Sequence, residues 1–310
     1  MAVSQALIHE AGPLTTVQDL GRPGHLRVGI PASGAVDEEA FVLANRLVGN
    51  GDGAAALECT LMGPRIEFTD ARTVAVTGAE MALALNGSPV PRWETFRVKG
   101  GDILKLGAAK TGVRAYLAIG GGIDTPTALG SRATYLRGRL GGRALAKGDR
   151  LPLGPATTEP VGRVRSERVP DYSTEPEVQV VLGPQDDRFT ARGIATFLEG
   201  PYEMTPQSDR MGARLRGPVI EHARGHDIIS DGVPLGGIQV VGDGQPIVLL
   251  VDRQSTGGYT KIATVCSFDI GRVGQLKPGQ RLRFRRIDPA QAHAELKVRR
   301  KLLDTAIEVR

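Results

Sequence analysis

Cysteine and aromatic side chains are scarce in this 310-residue chain, which holds two cysteines and 4% aromatics. Cys59 and Cys266 lie far apart in apolar, strand-like sequence (LECTL and TVCSF), so they offer neither a disulfide framework nor a CxxC zinc pattern. Both are expected to be buried thiols in a reducing compartment. No apolar run approaches the roughly 20 residues that cross a bilayer. The N-terminal MAVSQALIHEAGP has no basic region ahead of a long apolar core. The expectation is a soluble, cytoplasmic protein without membrane contact. A GxxxxGKS/T phosphate loop, a GxGxxG dinucleotide turn, an HExxH helix and a GxSxG elbow are all missing. His222 and His226 stand i, i+4 in EHARGHD, but Gly225 interrupts them and no third ligand is identifiable, so no metal is expected. The net charge of +5 is dispersed among 34 acidic residues and lacks interleaved aromatics, which argues against a nucleic-acid platform.

What the chain has is glycine, 41 residues of it, and short Val/Leu/Ile/Ala runs between turns. Ile66–Phe68, Thr73–Val76, Ala115–Ile119, Val178–Leu182, Ile247–Val251 and Ile262–Ser267 read as strands. A glycine turn leading into an alternating strand occurs at Gly101, Gly148 and Gly279. It places Leu104/Leu106, Leu151/Leu153 and Leu282/Phe284 on one face in each case. The fold class expected is mainly β, as two related tandem β-barrel domains with a few short helices. The boundaries expected are 1–160 and 175–287, with an amphipathic C-terminal helix over 288–310 and an exposed linker, Pro155–Glu175, between the barrels. One helix is predicted after Ser33-Gly34, with an apolar stripe of Val36, Ala40, Leu43, Ala44 and Leu47 and a stop at Gly49. The last helix is predicted from the cap Asp288-Pro289 with Gln291, its stripe formed by Ala292, Leu296, Leu303 and Ile307.

The densest set of chemically capable residues lies in Ile228–Lys261, IISDGVPLGGIQVVGDGQPIVLLVDRQSTGGYTK. Gly257 and Gly258 permit a ligand to approach the backbone closely, beside Ser230, Asp231, Gln239, Asp252, Gln254, Thr256, Tyr259 and Lys261. Gln239, Asp252, Tyr259 and Lys261 are the candidate catalytic residues: Asp252 as a base or an orienting acid, Tyr259 as a donor to a developing oxyanion. Arg210 and Lys261 suit an anionic group, Arg210 through its two-pronged fork. Ser230, Thr256, Gly257 and Gly258, with Gln18 and Asp37 from the first half, complete the candidate binding set. For each of these, a turn, cap or surface ion-pair role is the competing reading.

Taken together, the phrases VQDLGRPGHLRVGIPASGAVD, ANRLVGN, LECTLMGPRIEF, RAYLAIGGGID, LGSRATY, VVLGPQDDRF, SDRMGARL and IISDGVPLGGIQV through DRQSTGGYTKIATV resemble one family, collinearly from about residue 12 to 285. It is the biotin-dependent carboxyltransferase-like family, called allophanate hydrolase subunit 2 or the C-type subunit of 5-oxoprolinase. The family usually carries Glu where Asp231 stands, one methylene longer, and Pro where Thr260 stands. The resemblance implies cyclophilin-like barrels. It also implies a smaller companion protein, the B-type (allophanate hydrolase subunit 1-like) chain, and a third, A-type chain. A small polar amide or lactam substrate is implied as well, with ATP bound either on this chain or across a boundary with the companion. Neither an amidase Gly/Ser-rich run nor the Met-Lys-Met surroundings of a biotinylated lysine occurs, so any biotin is expected to arrive on another protein. The leading expectation is a component of ATP-dependent 5-oxoprolinase, which opens 5-oxoproline to glutamate. The alternatives are a urea or allophanate-type carboxyltransferase or amidolyase component, and a non-enzymatic partner that antagonises a kinase inhibitor related to the B-type chain.

Overall fold

The computed structural model describes residues 4–156, 162–173 and 175–309. Its chain divides into two compact units, Met1–Arg22 with Ser33–Asp171 and Leu302–Arg310, and Pro23–Ala32 with Tyr172–Lys301. The break in the chain thus falls at Asp171/Tyr172, and a short early segment and the last residues each group with the unit more distant in sequence.

The first unit is built on a six-stranded and a five-stranded sheet. The strand Arg114–Ile119 is buried at every position because it is central in the five-stranded sheet. The helix Glu38–Leu47 packs on it and on its neighbour Arg72–Gly78, and the unit's core, including Leu57, Ile66, Phe68, Val76 and Leu104, fills the interior. The helix starts where its sequence says it should: Asp37 Oδ1 accepts from Ala40 N at 3.2 Å, and the predicted stripe, Val36, Ala40, Leu43, Ala44 and Leu47, is buried.

The second unit holds a closed seven-stranded barrel, in the order Glu177–Leu182, Lys261–Val265, Gly237–Val240, Pro246–Leu249, Gly212–Arg216, Tyr202–Met204, Arg281–Arg286. The barrel closes through a parallel pairing of the first and last of these. Period-two burial, with Val178 and Val180 in one strand and Leu282 and Phe284 in the other, faces both toward the core. The protein is therefore mainly β.

The three predicted glycine turns behave alike. Gly101, Gly148 and Gly279 take φ of 87°, 91° and 89°, and the leucines and phenylalanine that follow are buried. A Cβ on any of the three would touch nothing within 4 Å, so the requirement is conformational and not spatial. The final helix runs Pro289–Asp304 and opens with a reciprocal capping box, Gln291 N to Asp288 Oδ1 at 2.8 Å and Asp288 N to Gln291 Oε1 at 3.0 Å. It stops short of Ile307, which lies instead in the strand Ile307–Val309.

That strand pairs with Gly162–Val164, inside the stretch predicted as linker. Residues 157–161 and Thr174 of that stretch lie outside the described residues. The correction has a local cause: Val164 buries its side chain and donates its N–H to Trp93 O at 2.8 Å, while Arg163 ion-pairs with Glu308 across the strands. Among the described residues no helix is long and apolar enough to cross a membrane.

An alanine at Gly279 must take a left-handed φ that disfavours L-residues by about 1–2 kcal/mol. Gly279→Ala is expected to lower the unfolding free energy by that amount in urea denaturation, with the slope against denaturant unchanged.

Candidate functional site

The barrel strands Gly237–Val240 and Lys261–Val265 run antiparallel, with a register shift between Ile238 and Gln239 that sets Gln239 opposite Lys261. Both side chains are buried, Lys261 completely. The Lys261 ammonium donates to Asp231 Oδ2 at 3.4 Å, and Gln185 Nε2 reaches the same oxygen at 3.4 Å. Gln185 also accepts from Lys261 N at 3.1 Å, which ties the turn after the first barrel strand to this one. Asp231 is exposed, on a ribbon formed by Asp227–Gly232 and Thr256–Tyr259. The Gly232 N–H, and then the Lys261 charge, hold its carboxyl below the usual carboxylate range.

Gln239 Oε1 accepts from Gln254 Nε2 at 3.4 Å, whereas Gln239 Nε2 is buried with no hydrogen-bond partner among the described residues. Gly257 explains how that amide is accommodated. A Cβ at position 257 would run into Gln239 Nε2 and come within 3.2 Å of Val233 Cγ2, so only glycine leaves the amide its place. A buried N–H donor without an acceptor is unfavourable in an apolar medium, and such groups are found where a ligand supplies the acceptor. Beside Gly258, Ser230 Oγ lies 3.6 Å from where a Cβ would stand, an ordinary contact, so the spatial demand for glycine falls on position 257.

The other predicted residues fall into three places. Arg210 and Asp252 form a buried two-pronged ion pair, Nε to Oδ2 at 2.9 Å and Nη2 to Oδ1 at 3.3 Å, closed by Asp252 N to Arg210 O at 2.9 Å. The fork of Arg210 that suits an external anion is thereby engaged by a carboxylate of its own unit. Ser230 and Thr256 are exposed on the ribbon, and Tyr259 is half-exposed. The Tyr259 ring continues a line of rings, 6.2 Å from His226, which is 6.1 Å from His222, which in turn lies tilted against Phe189 at 4.7 Å. Gln18 and Asp37 belong to the first unit. Gln18 Nε2 donates to Thr16 Oγ1 and Thr134 O, and Asp37 is the helix cap. The Asp37 N–H also donates to the Tyr116 hydroxyl, which donates to Glu58 at 2.9 Å; burial, first, pushes that phenol well above its ordinary value. Among the described residues no group of three or more His, Cys, Asp or Glu side chains is arranged to hold a metal.

Arg253 escaped the sequence reading. It is buried, 5% exposed, and its Nε donates to Val233 O at 3.0 Å. In a chain with 39 basic residues, no sequence signal separates such an arginine from a surface one.

Asp252→Ala strands the Arg210 guanidinium in the interior and is expected to destabilise the protein by about 3 kcal/mol or more in chemical denaturation. Asp252→Asn, which keeps an acceptor, should lose less. Burial pushes the His222 imidazole down, so between its unfolded and folded values the unfolded chain binds more protons, and stability falls as pH drops below about 6.5. The difference in melting temperature between pH 7.5 and 5.5 is expected to shrink in His222→Gln.

Comparison with known proteins adds a family. The family model for the carboxyltransferase domain, subdomain A and B, matches residues 28–286. The chain is 38% identical over 282 residues to the C-type subunit of 5-oxoprolinase from Escherichia coli K12, with 89% of each chain covered. It is 36% identical over 302 residues to urea amidolyase of Lachancea kluyveri, where 88% of this chain spans 16% of that much longer protein. The crystal structure of the K. lactis urea amidolyase superposes with a TM-score of 0.94 at 34% identity, over 98% of this chain and 20% of that one.

Proposed function

The chain belongs to the carboxyltransferase domain, subdomain A and B, family, and from that premise we propose that it is one component of a 5-oxoprolinase. In this reading it works with a companion B-type chain to prepare the lactam of 5-oxoproline for opening to glutamate. The observation that carries the reading is the pair formed by the Gln239 amide and the Lys261 ammonium on adjacent barrel strands, one an unmet buried N–H donor and the other a buried cation. An amide carbonyl is the acceptor that such a pair selects. As its carbon becomes tetrahedral the oxygen gains negative charge, and donors already in place stabilise that charge more than the ground state. Support from kinship is the match, over 89% of each chain, to a protein named as the C-type subunit of 5-oxoprolinase.

An unstrained five-membered lactam opens slowly at neutral pH unless its oxygen is made a better leaving group, which ATP supplies by phosphorylation. The buried cluster around Gln239 and Lys261 does not suit a triphosphate. In the Gln239 region Lys261 is matched by Asp231 and Arg210 by Asp252, which leaves Arg253 as the one buried cation there without an ion-pair partner among the described residues, too little for about four negative charges. We therefore place nucleotide on the companion chains, and no step on this chain runs through it.

A second reading is a carboxyltransferase half-site for urea or a related amide, with biotin delivered on another protein. It is favoured by the TM-score of 0.94 to the urea amidolyase. The same two donors would hold the urea carbonyl.

The test is reconstitution of the chain with its B-type and A-type companions, following glutamate release from 5-oxoproline with and without ATP. ATP-dependent release is expected. Its absence from an assembled complex, with carboxylation of urea by a biotinylated carrier instead, decides for the second reading. Lys261→Met is expected to lower kcat about 100-fold or more with the complex intact. Gly257→Ala, which pushes on the end of a side chain and not on backbone, should lower stability by about 1–3 kcal/mol, leave the complex assembled, and remove most of the turnover. Unimpaired activity in both variants would remove this cluster from the chemistry.

A further inference from the structure

Among the described residues, every buried charge in the second unit except one faces an opposite charge. Lys261 has Asp231, Arg210 and Asp252 have each other, and Asp269 has Arg272 and Arg299. Arg253 is the exception: among the described residues its side chain meets no carboxylate at ion-pairing distance, and its one side-chain hydrogen bond runs from Nε to the Val233 carbonyl. Burying a guanidinium against a single neutral acceptor is unfavourable, and desolvation pulls its proton affinity below the ordinary value. A fold that only needed to fill this place would do better with an apolar side chain.

Three contacts put Arg253 beside the amide-reading cluster. Val233, whose carbonyl holds the arginine, also lays its side chain against Gly257, the residue that Gln239 Nε2 abuts. The next residue in the chain, Gln254, donates to Gln239 Oε1. Consecutive side chains thus serve the two ends of one small region, Arg253 through Val233 and Gln254 through Gln239. With Nε occupied, the arginine retains Nη1 and Nη2, whose spacing matches the two oxygens of a carboxylate. A phosphate dianion would call for a second uncommitted cation, and the neighbouring cations are already neutralised.

We propose that Arg253 is the anchor for a carboxylate borne by the amide substrate. It would bind that group end-on while Gln239 and Lys261 address the amide carbonyl. This rests on the reading of the site given above and deepens it, because a substrate held this way is a carboxylated lactam or amide and not urea. Arg253 is a binding residue in this scheme and takes no part in proton or group transfer.

The experiment compares 5-oxoproline with 2-pyrrolidone, the same lactam without its carboxylate, in the reconstituted complex carrying wild-type chain, Arg253→Gln or Arg253→Lys. The wild type is expected to prefer 5-oxoproline strongly. Arg253→Gln should raise KM for 5-oxoproline by about 30-fold or more, in keeping with loss of a charge-assisted two-pronged contact. It should leave kcat within about threefold and the weak reaction of 2-pyrrolidone unchanged, and Arg253→Lys should recover part of the KM. Equal losses on both lactams, or a fall in kcat alone, would overturn the proposal. Should the wild-type complex not turn over 5-oxoproline, the reading of the reaction fails separately, and direct binding decides on Arg253. The full-length chain, alone and in complex, is titrated with 5-oxoproline and 2-pyrrolidone by calorimetry. Carboxylate-dependent binding weakened at least tenfold by Arg253→Gln, in a variant whose melting temperature matches wild type, sustains the proposal. Absence of carboxylate-dependent binding by the wild type, or binding indifferent to the substitution, overturns it.

Discussion

The bulge between Ile238 and Gln239 moves the strand Gly237–Val240 by one residue against Lys261–Val265. Continued without it, the ladder would set Gln239 opposite Ile262, a fully buried apolar residue, and Lys261 opposite Val240. A slip of one residue exchanges the two faces of a strand, so the polar pair exists as a pair only because the ladder is interrupted there. The rest of the second unit holds that interruption in place. The barrel is closed on both sides of it, and Gln185 grips the Lys261 backbone from the preceding turn. Gly257 leaves room for the amide that the bulge turns inward.

Buried polar groups are tied into networks in both units. In the first, Asp37, Tyr116 and Glu58 satisfy one another and the start of the helix Glu38–Leu47, with Arg114 3.6 Å from Glu58. That arrangement caps the helix and anchors it on the sheet. In the second, Arg210 and Asp252 satisfy each other; elsewhere in that unit, among the described residues, Gln239 Nε2 has no hydrogen-bond partner and Arg253 meets no carboxylate at ion-pairing distance.

Much of the architecture was legible because it rests on short-range rules. Alternation marked the strands around Val178 and Leu282, the left-handed turns announced themselves through Gly101, Gly148 and Gly279, and Asp288 with Gln291 spelled a capping box. What was not legible depends on partners remote in sequence. Gly162–Val164 is too short and polar to read as a strand until Ile307–Val309 and Trp93 are beside it. Asp37 looks equally suited to a ligand and to a helix N-terminus, and only Ala40 N reveals the cap. The neighbourhood of Gln239, Gly257 and Lys261 could be named from composition, but Arg253 could not, because burial and not residue type gives it its character.

The contact between Asp231 and Lys261 is long, 3.4 Å, and is made from a strand that is itself open to solvent. Aspartate is the shorter of the two acids, and it leaves slack where a glutamate could draw close. Among the described residues Asp231 is the one side-chain acceptor of the Lys261 ammonium. A neutral oxygen arriving there need not evict the carboxylate to be received: the tether can stay fastened while the guest is seated. In the proposed site, occupancy and charge balance would thereby be uncoupled at Lys261, the one fully buried lysine among the described residues.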